Sequence, residues 1–296
     1  MRYQESPWSY GQSPGTKLIT EHYAIFTTLQ DPRLVRALPQ ALETAYHYYR
    51  TLIPTAGEPA EPMPVYLFSR RGEFEHYTRR RFPSKARLLT RVRNGGYMEA
   101  GSTVIEYTSH GSTFPLMTHE AFHQFLYFCV KSKVPPWLNE GLSTMCEGQR
   151  WGSAGLREFD PLHNPTRRNR LAEALLEGDM IPLRELLRIG AGDVIGKSPQ
   201  KAYVYYAELW GLMLFLQHGA DGKYAASFAR LLDAVGRENL ETYARAAHVT
   251  SSARRYNFGR AVFESFISPD IDEVEREFRA YLGRLLLNEP EETGRP

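Results

Sequence analysis

The chain has 296 residues, of which 42% are hydrophobic and 12% aromatic, so it can bury one large core or two lobes that share one. Its 36 basic and 34 acidic residues leave a net charge of +2, which argues against a nucleic acid or an anionic membrane as partner. Two cysteines are too few for a disulfide scaffold, and no run of apolar residues is long enough to predict a membrane span.

Residues 1–16 are polar and aromatic and lack the apolar core of a signal peptide, so we expect them to form an N-terminal tail. The sequence as written then favours two alternatives for the cellular location. The protein is either cytoplasmic, or exported with its signal removed.

Residues 17–150 predict a small α/β lobe in which strands and helices alternate. Strands are expected where apolar residues alternate or run together, and helices where a cap or a proline opens a 3.6-residue period. The predicted elements are a strand at Leu18–Thr27, a helix from Asp31-Pro32, a strand at Pro64–Phe68, a helix at Glu73–Arg81, a glycine-punctuated turn at Gly95–Gly101 and a short strand at Thr103–Tyr107.

The stretch from Arg70 to Arg93 contains nine basic residues, with only Glu73 and Glu75 against them. A nucleic acid or an acidic substrate could use this charge. Aromatic residues are scarce within the stretch and the charge elsewhere is balanced, so a solvated charged surface is the favoured interpretation.

The motif His119-Glu120-x-x-His123 lies in an apolar segment that predicts a buried helix, with Pro115 in its first turn. Histidines four residues apart on a helix are separated by about 6 Å along the axis and about 40° around it. Both imidazoles can therefore reach one zinc ion at about 2.0–2.1 Å. Glu120 lies about 100° around from His119, where it can act as general base on a water bound to the metal.

The third ligand decides the class of zinc site. A metzincin would need glycine and histidine where this chain has Leu126 and Cys129, so that class is excluded. Glu140, seventeen residues after the second histidine, is the better candidate, because Pro135-Pro136 starts a new helix just before it. Glu147 is seven residues further on the same helix face, and remains a rival ligand or an outer-shell neighbour.

Cys129 and Cys146 both fall in the segments that carry the candidate ligands. A thiolate is a good zinc ligand, so either cysteine could in principle coordinate the metal. Their interpretation as small buried hydrophobic residues is favoured.

Residues 151–287 are predicted to form a helical lobe that completes an active-site cleft, followed by a polar tail at 288–296. Tyr203, Tyr205 and Tyr206 open the most apolar of its helices. Tyr203 fits an aromatic core position, whereas one of the other hydroxyls could hydrogen-bond an oxyanion. The helix candidates are Leu171–Leu176, Leu183–Leu187, Val204–Leu216, Phe228–Leu232 and Ile271–Leu287.

The His119–His123 motif followed by Trp137-Leu138-Asn139-Glu140-Gly141 resembles the gluzincin zinc metallopeptidases, and most closely the small bacterial peptidase-MA-like domains of unknown function. The resemblance implies a thermolysin-like α+β architecture with one Zn²⁺ held by His119, His123 and Glu140. It also implies a peptide or protein substrate, with Glu120 as the general base that activates the water.

The same resemblance implies further site residues. Tyr206, which opens a Tyr-Ala-Glu element, is expected to be the oxyanion donor, and the strand before the metal helix is expected to be the sheet edge on which a peptide lies. Gly96 to Ala100 matches the element that binds a free amino terminus in related aminopeptidases except that Ala100 replaces asparagine, so we expect an endopeptidase. Thermolysin-like members carry an acid where this chain has Thr144, which leaves the outer-shell support of the zinc open.

Two other functions are compatible with parts of the sequence. One is a non-catalytic peptide-binding protein on the same fold, which would be expected to have lost Glu120; this chain retains it. The other is a nucleic-acid binder that uses the basic stretch from Arg70 to Arg93, and such a protein would bind in a salt-sensitive way. The oligomeric state is left open.

Overall fold

The structure, a computed structural model, describes residues 2–91, 95–153, 155–195, 198–246 and 254–287, and confirms a mixed α+β protein. The chain divides into two compact units, one formed by Met1–Lys131 with Met145–His163 and the other by Ser132–Thr144 with Asn164–Pro296. The polar tail predicted at 288–296 lies outside the described residues.

The first unit contains the sheet and the helix with the two histidines. Its elements are β1 (Gln4–Tyr10), β2 (Ser13–Ile19), β3 (Tyr23–Thr27), α1 (Pro32–Leu52), β4 (Met63–Phe68), α2 (Arg71–Arg81), α3 (Ala86–Leu89), β5 (Gly96–Glu99), β6 (Ser102–Glu106), α4 (His110–Cys129), β7 (Gln149–Gly152) and β8 (Gly155–Phe159).

The sheet of this unit has the strand order β1-β2-β3-β4-β6-β5. β3, β4 and β6 are parallel, whereas the hairpins at both ends add antiparallel strands. One face, with Tyr23, lies against α1, whose Tyr49 packs on Phe122 of α4. On the other face α2 covers a cluster around Phe68 and Tyr97. Helix α4 therefore packs on a sheet that is covered on both faces near β4 and β6.

Helix α1 begins where the sequence predicts. The Asp31 side chain accepts a hydrogen bond from the Arg33 backbone N–H at 2.8 Å, and Pro32 occupies the first helical position. A carboxylate at the N-cap and a proline at the first position both suit the unsatisfied N–H groups at a helix start. Here local chemistry was sufficient to place the element.

The N-terminal tail predicted for residues 1–16 is replaced by a β-hairpin. β1 pairs with β2 along its whole length, and Gly11 turns the chain at φ +61°. The single strand predicted from Leu18 to Thr27 is correspondingly two strands, β2 and β3. Trp8 packs on Phe26 at 5.5 Å between ring centroids, so aromatic contacts across the sheet order a segment whose own composition is polar.

The strand before the metal helix is not the sheet edge, which corrects the expectation for Thr103–Tyr107. β6 lies between β4 and β5, and β5 is the edge strand. The Glu106 N–H donates to the Gly95 carbonyl at 3.1 Å, so these two residues form a hydrogen-bonded pair. Hydrogen-bonded and non-hydrogen-bonded pairs alternate along an antiparallel ladder, so Gly96 and Met98 of β5 belong to non-hydrogen-bonded pairs. The backbone N–H and C=O of Gly96 and Met98 consequently face away from β6, toward the open edge.

The turn between β5 and β6 holds an alanine in the left-handed region. Glu99 pairs with Ser102, so Ala100 and Gly101 form a two-residue loop with φ of +47° and +76°. Such a loop is a type I′ turn, which favours Asn-Gly.

Replacing Ala100 by asparagine should therefore stabilise the protein by about 1 kcal/mol, because alanine is penalised in this conformation. Urea denaturation of the two proteins measures the difference. Ala100→Val is the matched opposite change, which should lower stability, and an order of stability with valine above asparagine would contradict the assignment of the turn.

The hairpin β7–β8 corrects the expectation that the chain is helical from residue 151 onward. Gln149 pairs with Phe159, and Phe159 stacks on Tyr48 of α1 at 4.7 Å between ring centroids. The pairing depends on α1, about a hundred residues earlier in the chain, which the local pattern cannot reveal.

The described residues of the second unit form helices and their connections, and the five predicted helical stretches lie in helices here except for Leu187, which directly follows α7. They are α5 (Pro136–Met145, in this unit up to Thr144), α6 (Pro165–Glu177), α7 (Leu183–Leu186), α8 (Ala191–Ile195), α9 (Pro199–His218), α10 (Ala225–Arg237), α11 (Glu241–Ala246), α12 (Arg254–Phe266) and α13 (Ile271–Leu287). None of the described helices has the combination of length and apolarity that a membrane crossing needs.

Glu208 is a fully buried carboxyl group in the middle of this unit. The Ile181 backbone N–H donates to Oε1 at 2.6 Å, and Arg279 Nη1 lies 3.4 Å from Oε2. Burial outweighs these two favourable contacts and raises the pKa of Glu208 to about 8. Glu208 therefore anchors the loop before α7 to α9, and its charge state is sensitive to pH near neutrality.

A raised pKa means that the folded state holds a proton on Glu208 that the unfolded state releases above its usual pKa of 4.5. This contribution to stability is complete below that value and is lost as the pH rises toward about 8. The free energy of unfolding should fall by about 1.4 kcal/mol per pH unit within this window relative to Glu208→Gln. Urea denaturation of both proteins at pH 5.5 and 7.5 gives the change in unfolding free energy between these two pH values. The same change in wild type and in Glu208→Gln would contradict this prediction.

Candidate metal centre

Helix α4 carries His119, Glu120 and His123, as the sequence predicts, but it begins earlier than expected. The Ser109 side chain caps it by accepting from the Ser112 N–H, so Pro115 lies in the helix interior and not in the first turn. The additional turn is held by aromatic packing, in which the His110 ring lies 4.4 Å from Trp151 of β7. The shift at the N-terminus leaves the register of the histidines unchanged.

The two imidazoles lie one turn apart on α4, with 4.9 Å between their ring centroids. His119 is buried, whereas Glu120 and His123 are half-buried. This places two nitrogen ligands where both can approach one ion, while Glu120 keeps access to solvent.

Two side chains fix α4 to the sheet. Gln124 Nε2 donates to the carbonyls of Pro64 and Gly101, at 2.8 and 2.7 Å. Thr103 of β6 donates to the Glu120 carbonyl at 3.4 Å. The backbone that carries the motif is thus tied to β6, to the start of β4 and to the β5–β6 turn.

A buried network around Thr118 joins the same helix to the residues that follow α5. Thr118 Oγ1 donates to the Cys146 carbonyl at 2.7 Å and accepts from Gln149 Nε2 at 2.8 Å. The Tyr49 hydroxyl donates to the Thr118 carbonyl at 2.6 Å. Sequence reasoning missed these partners, because no local pattern links residues so far apart in the chain.

Glu147 contacts the outer nitrogen of the first histidine. Its Oε1 lies 2.8 Å from His119 Nδ1, and both side chains are almost completely buried. A carboxylate that accepts from Nδ1 holds the ring in place and directs Nε2 toward a metal. Of the two roles left open for Glu147, this contact favours the outer-shell one.

Glu147→Gln should therefore weaken zinc binding by about 10- to 100-fold without abolishing it. Competition with a chromogenic chelator measures the dissociation constant directly. Glu158→Gln removes an exposed carboxylate from the neighbouring strand β8 and should leave zinc affinity unchanged. Complete loss of zinc from Glu147→Gln would instead make Glu147 a ligand.

Glu140 lies on α5, which close packing holds in the second unit. Trp137 Nε1 donates to the Gly259 carbonyl at 3.0 Å, and a Cβ at Gly141 would lie 2.9 Å from the Met213 side chain. A side chain at position 141 would therefore require the flexible Met213 side chain to shift. Thr144, where the resemblance would place an acid, donates to the Gly141 carbonyl at 2.6 Å within its own helix.

Ligand atoms of His119, His123 and Glu140 all lie within 4.8 Å of one another. Among the described residues, this is the group of histidine, cysteine and acidic side chains that could hold a metal ion. Two imidazoles and one carboxylate form the three-ligand set that leaves a fourth zinc position for water. The donor chemistry and the contact between His119 and Glu147 both fit a catalytic zinc.

The three tyrosines at the start of α9 have different surroundings, and one expectation is wrong. Tyr203 is 49% exposed and not a core residue; Tyr205 is the buried one, and its hydroxyl donates to the Ile189 carbonyl at 3.4 Å. Burial and the charge of Glu140 raise the pKa of Tyr205 well above its usual value. Tyr206 is half-buried, with the Arg167 guanidinium 5.1 Å from its ring centre.

Both cysteines are buried, as the favoured interpretation has them. Burial raises the pKa of Cys129 to about 12 and that of Cys146 far above its usual range. A thiol binds zinc as the thiolate, so these cysteines are poor competitors for the metal at neutral pH.

The basic stretch that begins at Arg70 is partly neutralised by ion pairs. Arg71 lies 2.7 Å from Glu106 and 2.9 Å from Glu75, and Arg79 lies 2.6 Å from Glu75. Arg93, at its end, lies outside the described residues. The pairing reduces the positive charge available to a polyanion.

No protein-family model matches the sequence, and no curated protein matches it significantly.

Proposed function

We propose that this protein is a zinc-dependent metallopeptidase of the gluzincin type, with a thermolysin-like arrangement of the metal helix. The observation that carries the proposal is the grouping of His119, His123 and Glu140, in which a buried carboxylate also holds the first histidine. A carboxylate that orients a ligating imidazole through its other ring nitrogen commonly accompanies a zinc site.

The roles of the remaining residues follow from chemistry at this group. Bound zinc would polarise the substrate carbonyl and lower the pKa of a water toward about 7. Glu120 would take the proton of that water and pass it to the leaving amine, which is typically worth about 10²- to 10⁴-fold in rate. Tyr206 would donate a hydrogen bond to the oxyanion, because its side chain is half-buried, whereas that of Tyr205 is completely buried.

The peptide would lie along the open edge of the sheet. Outward-facing N–H and C=O groups at Gly96 and Met98 can pair with a peptide backbone regardless of its side chains. Because Ala100 lies in the left-handed turn and carries no polar side chain, it offers nothing to a free amino terminus, and we infer cleavage within peptides.

Metal analysis followed by digestion of a mixed peptide library tests the proposal. We expect about one zinc per chain and new termini from internal positions, in unblocked and acetylated peptides alike. Stepwise release of single amino acids from unblocked peptides alone would make the enzyme an aminopeptidase. Zinc and peptide binding without cleavage would favour a non-catalytic peptide-binding protein.

A further inference from the structure

An aromatic pair is exposed one turn beyond the metal-binding motif. Tyr127 and Phe128 are 58% and 41% exposed at the C-terminal end of α4, and their ring centroids lie 5.0 Å apart. Neighbouring large aromatic side chains on a surface are costly to leave in water and often mark a binding site.

Helical geometry places this pair beside the proposed reaction centre. Tyr127 follows His123 by four residues, hence about 6 Å further along the axis and about 40° around it. Tyr127 is also seven residues after Glu120, within about 20° of the same direction. It therefore continues the helix face that carries the proposed base and the second ligand.

The same pair lies against the β5–β6 turn. A Cβ on Gly101 would lie 2.8 Å from Phe128 Cζ and 3.0 Å from Tyr127 Cε1, so both rings cover that glycine. Met98, two residues before the turn, is half-buried. Its neighbour Tyr97 packs on the face of the sheet that α2 covers. Because successive side chains of a strand point to opposite faces, Met98 points to the face that α4 covers. Met98, Tyr127 and Phe128 thus share one corner of the sheet.

Resting on the proposed function, we propose that Tyr127 and Phe128 form a specificity subsite for a large apolar side chain of the peptide substrate. A peptide paired with the outward-facing groups of Met98 would direct alternate side chains to the α4 side of the sheet. The aromatic pair is the apolar surface at that place, and it is continuous with both the open edge and the metal helix. The substrate class is then an extended segment with an aromatic or large aliphatic residue.

Internally quenched peptides that differ only in phenylalanine, leucine or alanine at each position near the cleaved bond test the subsite. At one position, wild-type kcat/KM should be about 10-fold higher for phenylalanine or leucine than for alanine, as expected for an apolar contact. Tyr127→Ala should remove most of this preference, and Phe128→Ala should reduce it. Both variants should keep zinc. Leu176→Ala, which removes an 88% exposed leucine from α6, is the matched control and should keep the preference.

A binding measurement separates this inference from the proposed function. Zinc-loaded Glu120→Gln should bind a fluorescent phenylalanine peptide about 10-fold more tightly than the double variant with Tyr127→Ala. Equal affinities would overturn the subsite even if wild-type protein cleaves peptides. Unequal affinities would support it even if cleavage failed, in which case only the catalytic assignment would be lost. Loss of self-association in Tyr127→Ala, with the peptide preference unchanged, would assign the pair to contact with a second copy and overturn the subsite.

Discussion

Glu120→Gln should lower peptide turnover by at least about a hundredfold while leaving zinc in place. Glutamine keeps the size and hydrogen-bonding capacity of the side chain but cannot accept the proton of the attacking water. Thermal stability should be equal or slightly higher, because a half-buried charge is removed. The measurements are kcat on a peptide found in the library digest, zinc content, and the thermal midpoint.

Two comparisons sharpen this result. Tyr206→Phe should also retain zinc, with kcat lowered by roughly 10- to 1000-fold, since one oxyanion donor is lost. KM should change little in either variant, because both groups act mainly in the transition state. Wild-type turnover in Glu120→Gln would assign the activity to a contaminant or to another site. A silent Tyr206→Phe with an impaired Tyr205→Phe would move the donor by one residue.

Replacing a ligand should instead empty the site. His119→Ala, His123→Ala and Glu140→Gln should each lose most of the bound zinc, and with it the stabilisation that the metal gives the folded state. At a free zinc concentration of 1,000 times the dissociation constant, that stabilisation is about 4 kcal/mol. Mass spectrometry for zinc, together with thermal midpoints with and without added zinc, measures both effects.

His163→Ala is the matched control for these variants, because it removes an exposed imidazole from the same unit as His119 and His123. It should retain both the zinc and the zinc-dependent rise in thermal midpoint. Full zinc in Glu140→Gln, with loss in Glu147→Gln, would transfer the third ligand role to Glu147.

Elements with local signals could be predicted from the sequence. Helix starts are indicated by the N-cap Asp31 for α1 and by Pro136 for α5. The regular spacing of apolar residues indicates the helix α13. The histidines four apart on α4 are of the same kind, because helical geometry alone places them on one face.

Features that depend on distant partners could not be predicted. The N-terminal hairpin is ordered by contacts such as that of Trp8 with Phe26, and β7–β8 by the stacking of Phe159 on Tyr48. The contact of Glu147 with His119 spans 28 residues, and the sequence spacing allowed a ligand as readily as a neighbour. β5 falls within Gly95–Gly101, which the sequence predicts as a turn, and it is a strand because it pairs with β6. Strand order is likewise set by pairing, so no local pattern identifies β5 as the edge.

The two edge strands of the sheet, β1 and β5, differ in their ability to pair with a strand of another polypeptide. β1 ends the sheet on one side, and Pro7 in its middle, opposite Thr16, has no N–H to donate. A proline there interrupts the row of hydrogen bonds that an incoming strand would need, as does a short or charged edge in many β-proteins. β5, at the other end, contains no proline. Strand addition is therefore disfavoured at β1 and possible at β5. An extended peptide could pair with β5, whereas copies of the protein could not assemble into fibres by pairing β1 with β5.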